Sequence, residues 1–113
     1  MSTWTLFLDD ERHPVRNDVV VCRTSLEAIE EIRKRGCPVE MMLDHDLGPG
    51  DDASKIFYAG FENLVLDGLV SIPEGFRFSV HSQNPVGGNN LAGKIDSLLR
   101  EMERRARETR TCL

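Results

Sequence analysis

Three polar clusters each follow a short apolar run: Asp9-Asp10-Glu11-Arg12 after Leu6-Phe7-Leu8, Asp44-His45-Asp46 after Met41-Met42-Leu43, and His81-Ser82-Gln83-Asn84 after Phe76 to Val80. At the ends of parallel strands such clusters converge, because ligands of open α/β sheets bind in the crevice beyond the carboxyl ends of the strands. Convergence would gather the carboxylates of Asp9, Asp10 and Asp44. Such a set suits Mg2+ or Mn2+, hard cations that take oxygen ligands and bridge to phosphate. His81 adds a side chain whose ordinary pKa lies near neutrality and which suits proton transfer. A divalent cation beside an imidazole is a combination that cleaves phosphoesters.

Each residue also has a plainer reading. An isolated Asp9-Asp10 pair would more often cap a turn and pair with Arg12; it is the company of Asp44 that favours metal binding. Asp46 is balanced between opening the Leu47-Gly48 bend and joining the metal ligands, since it shares a face with Asp44 only if the strand continues that far. Alternation turns His45 away from Asp44, towards a structural hydrogen bond, and His13 beside Pro14 reads as a solvent-exposed loop residue. His81 could be a core histidine satisfied by a carbonyl. However, it precedes Ser82, Asn84 and the Gly87-Gly88 pair, which is expected to lead into a capped helix whose free N–H groups could face an anion. Ser82 and Asn84 are therefore candidate phosphate or ribose contacts, Asn90 a helix cap or further donor, and Arg12 a bidentate anion contact. The glycines form neither a dinucleotide fingerprint nor a P-loop, for the spacing and the Lys-Ser/Thr pair are missing.

The elements that must position these residues follow from local pattern. Trp4 to Leu8, Val19 to Cys22, Val39 to Leu43 and Phe76 to Val80 are β-rich and of ordinary strand length. Thr24-Ser25-Leu26-Glu27 is a capping box, opening a helix that stops at Gly36. Its inward face is expected to carry Leu26, Ile29 and Ile32, with Glu30–Lys34 and Glu31–Arg35 pairs outside. Phe57, Phe61 and Leu64 recur at helical spacing before Gly68. A third helix is expected from Asn89 or Asn90 as cap, carrying Leu91, Ile95, Leu98 and Met102, ending by about Arg107 and fraying from Arg104 onward. The arginines there read as a solvated face partnered by Glu101, Glu103 and Glu108.

The resulting order, β-β-α-β-α-β-α, predicts a mainly parallel four-stranded sheet with right-handed crossovers. Glu11 to Asp18, eight residues including Pro14, is too short for an ordinary parallel crossover. Either the first crossover helix is shortened or missing, or the second strand is an irregular edge; the reduced crossover is preferred.

The chain has 113 residues, 40% of them hydrophobic, enough for one core and not for two. The expected layout is one domain over 1–108 and a flexible tail over 109–113. A net charge of −5, with five Phe, one Tyr and one Trp, argues against coating DNA or other nucleic acid. Cys22, Cys37 and Cys112 suggest neither a disulfide framework nor a zinc knuckle, and no stretch reads as a signal peptide or membrane span. A cytoplasmic protein is the expectation.

Taken together, Leu6-Phe7-Leu8-Asp9-Asp10-Glu11-Arg12-His13-Pro14, Leu43-Asp44-His45-Asp46-Leu47-Gly48, and Val80-His81-Ser82-Gln83-Asn84-Pro85-Val86-Gly87 with Asn90-Leu91 resemble the receiver-like family of bacteria and phages proposed to process cyclic phosphates. The paired acid and the later strand-end Asp also look like the phosphorylation site of response-regulator receivers. His81, however, stands where a receiver has Thr or Ser, and no fifth strand supplies the receiver's Lys. The resemblance implies a reduced receiver-like (flavodoxin-like) three-layer α/β fold. It also implies divalent-metal-dependent hydrolysis of a cyclic phosphate on a nucleotide or RNA end. In that reading Asp9, Asp10, Asp44 and Asp46 are metal candidates, and Asp44 and His81 are catalytic. The competing expectation is a non-catalytic receiver-like module that senses a nucleotide or binds a protein partner.

Overall fold

The structure, a computed structural model, describes residues 4–111; Cys112 and the end of the expected tail lie outside them. The element order is β1 (Thr5–Leu8), β2 (Val20–Cys22), α1 (Ser25–Arg35), β3 (Glu40–Asp44), α2 (Ile56–Leu66), β4 (Arg77–His81) and α3 (Pro85–Thr111). The four strands form one sheet in the order β2-β1-β3-β4, with every pairing parallel. This is a receiver-like, flavodoxin-like α/β fold in which the first crossover has no helix.

Crossover handedness decides which face of the sheet is covered. The chain moves from β2 to β3 to β4 in one direction across the sheet, so right-handed connections put α1 and α2 on the same face, and α3, after the last strand, packs against that face as well. The β1-to-β2 step runs the opposite way, and its link belongs to the other face. Alternation along the strands agrees. Leu6, Leu8, Cys22, Met41 and Leu43 are buried in one cluster with Ala28 and Ile32 of α1, Phe57, Phe61, Leu64 and Val65 of α2, and Leu91, Ile95 and Leu98 of α3. Phe7, Val21, Met42 and Ser79 point the other way and are only partly covered or exposed. On that far face the third layer is reduced to the residue 9–19 link. The link is tied down where Arg16 donates to Glu40 Oε1 at 2.7 Å, with Arg77 approaching the same oxygen at 3.3 Å.

Four local expectations are corrected. In α1 the fully buried residues are Ser25, Ala28 and Ile32, Ile29 packs partly buried against the core as expected, and Leu26 is 71% exposed. Ser25 can be buried because the Asp51 carboxylate accepts both its N–H and its hydroxyl at the helix N-terminus. Glu30 pairs with Arg33 rather than Lys34. In α3 the helix begins at Pro85, not near Asn89 or Asn90. Asn84 is the cap, its Oδ1 accepting the Gly87 N–H at 3.3 Å, and Pro85 takes the first helical position, where a missing N–H costs nothing. Gly87 and Gly88 therefore lie inside the first turn. The same helix continues to Thr111, past the expected end near Arg107, with Glu101 bonded to Arg104 and Arg105, and Arg104 to Glu108. Such i,i+3 and i,i+4 pairs support an exposed helix that has no apolar stripe left.

Candidate functional site

β3 and β4 each extend one residue further than their apolar runs, so Asp44 and His81 are the last strand residues and stand in register with each other. The His45 N–H continues the ladder to the His81 carbonyl at 3.1 Å. On the other side of β3, Leu8 pairs with Leu43, which brings Asp9 alongside Asp44. Three consecutive strands of the sheet thus present Asp9, Asp44 and His81 on the same face at their carboxyl ends.

Asp9 is 4% exposed. Its Oδ1 accepts the N–H groups of Glu11 at 3.0 Å and Arg12 at 2.9 Å, which closes the turn and leaves Oδ2 towards the cavity. Arg23 holds that turn from below by donating to the Asp9 carbonyl at 3.0 Å and the Arg12 carbonyl at 2.6 Å. One carboxylate oxygen from each of Asp9, Asp10 and Asp44 lies within 4.8 Å of the others. They line a cavity of about 280 Å3 together with Glu11, Arg12, Asp46, Gly48 and Gln83. Gly48 has φ +100, a conformation open to glycine, and a Cβ there would stand 3.8 Å from Asp10 Oδ2. Partial burial pushes the Asp44 carboxyl above its usual range; the Asp46 N–H opposes this, and the charges of Asp9, Asp10 and Asp46 add to it. An all-oxygen donor set whose members repel one another fits a hard divalent cation, which would relieve both the crowding and the raised pKa.

Asp46 lines the cavity but does not join the close trio. Its oxygens accept from His45 Nδ1 at 2.9 Å and Ser82 Oγ at 3.0 Å. The His45 bond is the main reason its carboxyl is held below the usual range. His45 is 6% exposed and packs against Gly87 so tightly that a Cβ on Gly87 would come within 2.7 Å of Nε2. That Nε2 lies 3.0 Å from Asp52 Oδ1, yet off the direction that a ring N–H bond requires, so it has no true hydrogen bond. His45 and Gly87 thereby clamp the 45–52 loop onto the start of α3.

The other expected ligand contacts are placed less directly. Arg12 lines the cavity, its side chain half exposed and its Nε 3.9 Å from Asp9 Oδ2. Ser82 Oγ is shared between Asp46 and the backbone of Asn84. Asn84 is occupied as the α3 cap, and Asn90 sits exposed in the second turn of that helix, outside the cavity lining. Gln83, Glu11 and Gly48 also line the cavity, although they are not among the expected ligands; Glu11 and Gln83 belong to the strand-end clusters, and Gly48 lies two residues past one. His13 is exposed as expected.

The model of the cyclic-phosphate processing receiver domain matches residues 4–97. The chain belongs to that family. No curated protein and no solved structure matches it. The match spans all four strands of this receiver domain and stops within α3, so every residue of the acidic cavity lies inside it. Among the described residues, no helix of the receiver domain is long and apolar enough to cross a membrane.

Proposed function

We propose that this domain hydrolyses a cyclic phosphate on a nucleotide or RNA end, with a divalent cation, Mg2+ or Mn2+, held by Asp9, Asp10 and Asp44. The observation that carries the reading is the approach of those three carboxylates to within 4.8 Å in a chain of the cyclic-phosphate processing family. When bound, the cation would supply Lewis-acid polarisation of the phosphoryl group. Arg12, at the rim of the same cavity, reaches the remaining phosphate oxygens. His81 lies on the same face as Asp44, exposed at the strand end, where an imidazole can pass a proton to the departing ribose oxygen. Asp46 orients the Ser82 turn and His45 and remains at the cavity edge as a further cation contact.

The test is turnover of nucleoside 2′,3′-cyclic phosphates, 3′,5′-cyclic nucleotides, cyclic dinucleotides and RNA ending in a 2′,3′-cyclic phosphate, with Mg2+, Mn2+ or EDTA. Cation-dependent ring opening that EDTA abolishes and Asp44→Asn removes is the expected result. Binding without conversion of any of them would replace hydrolysis by a sensing role.

A further inference from the structure

We infer that the helix-free, partly covered sheet face beneath His81 and Asp44 holds the nucleobase of the substrate, one base at a time. The inference rests on reading the acidic cavity as the phosphate site. A separate groove of about 200 Å3 runs down this face from the acidic row, lined by Phe7, Met42, Ser79, His81, Asp44 and Arg12 among others. It exists because the first crossover has no helix and the helices of the fold cover the opposite face.

With a cation held at the acidic row, the charge pattern along the groove would suit a ligand that is anionic at one end and neutral beyond it. At the top stand Asp9 and Asp44, shared with the cation site. Below them the register places Phe7, Met42 and Ser79 side by side across β1, β3 and β4, an uncharged row. One step further down, Glu40 is already neutralised by Arg16 and Arg77, so the apolar row is bounded by charge above and by a closed ion pair below. A cyclic phosphate anchored at the acidic row directs the rest of its nucleoside either to solvent or onto this row. Only the row offers an aromatic ring and a thioether for a base to lie against, with the Ser79 hydroxyl beside them. The volume is smaller than the ~300–1,000 Å3 typical of pockets for drug-sized molecules, which suits a single ring system and excludes the two bases of a cyclic dinucleotide.

The probes are adenosine 2′,3′-cyclic phosphate and glycerol 1,2-cyclic phosphate, which carries the same five-membered cyclic diester without a base. Affinity and turnover of both are measured with Mn2+ on the wild type, Phe7→Ala and Ser79→Ile. Ser79 is exposed, and a β-branched side chain there suits the strand while filling the groove, so this variant keeps the test valid if Phe7→Ala folds poorly. The wild type should prefer the adenosine compound by roughly 5- to 150-fold in affinity, the range one stacked base provides, and the ratio should fall towards one in both variants. A trinucleotide ending in a 2′,3′-cyclic phosphate then tells the source: tighter binding than the mononucleotide marks an RNA end, and equal binding marks recognition of the terminal nucleoside alone. Equal affinity of the wild type for the two small probes, or a preference that survives Ser79→Ile, overturns the base groove while leaving the hydrolysis reading standing. A base preference with no turnover of the adenosine compound or any of the other cyclic phosphates overturns hydrolysis and keeps the groove, and failure to bind either probe overturns the groove.

Discussion

Replacing Asp44 by Asn removes one of three mutually repelling carboxylates while keeping the oxygen that accepts the Asp46 N–H at 3.1 Å. With ligand oxygens within 4.8 Å of one another, each ionised pair repels by roughly 1 kcal/mol in a water-like medium and about 3.5 kcal/mol at an effective dielectric of ~20. The site is partly open, so a net gain of about 1–2 kcal/mol is expected for metal-free Asp44→Asn at neutral pH, equivalent to a Tm rise of about 4–10 °C. The folded-state pKa of Asp44 lies above its ordinary value. Ionisation therefore costs stability most fully at pH above that raised value; the cost shrinks as pH falls below it and is gone once pH is below the ordinary carboxylate value, where Asp44 is protonated in the unfolded chain as well. The advantage of Asn should accordingly shrink on acidification and also weaken at high salt. Cation binding reverses the order: at 100 times its Kd, Mg2+ or Mn2+ should stabilise the wild type by about 2.7 kcal/mol and the variant far less. Thermal melts in EDTA and in millimolar Mg2+ or Mn2+, from neutral pH down into the carboxylate range, provide the measurement. An Asn variant that is less stable than wild type in EDTA, or that gains as much from the cation, would refute the repulsion argument.

Three further outcomes test the site. His81→Gln, at an exposed strand end, should lower turnover of the cyclic phosphate ~10²- to 10⁴-fold with Mn2+ affinity near wild type by titration calorimetry; full activity would return His81 to a structural role. Arg12→Ala should weaken phosphate-ester binding more than it lowers Tm, because its side chain is half exposed and its approach to Asp9 is long, at 3.9 Å; the opposite pattern would make Arg12 an internal partner of the acidic row. Gly87→Ala drives a methyl into the His45 ring, with Nε2 only 2.7 Å from the new Cβ. It should cost about 1–3 kcal/mol in denaturant melts, and the cost should be smaller when made on a His45→Ala background; additive effects would show that the two residues do not press on each other.

Much of this molecule can be read without its tertiary structure, because local patterns carry the signals. Apolar runs of strand length, the Thr24 cap and the Phe57, Phe61 and Leu64 spacing each depend on neighbours in sequence, and they predict the element order observed. The three strand-end clusters likewise mark Asp9, Asp10, Asp44 and His81, since strand ends are where parallel sheets gather side chains. Tertiary structure decided what depends on distant partners. Ser25 is buried in place of Leu26 because Asp51, 26 residues away, bonds to it. Asp46 is drawn off the close carboxylate trio by His45 and by Ser82, which comes from another strand's end. The start of α3 at Asn84 rather than Asn90 is fixed in part by Gly87 fitting against His45 of the distant 45–52 loop, although the Asn84-Pro85 pair is itself a local start signal. The helix-free face below the site has no local signature at all: Phe7 and Met42 read as ordinary strand residues, and only the direction of each crossover, set by strand order across the whole sheet, leaves them without a helix above them and only partly covered.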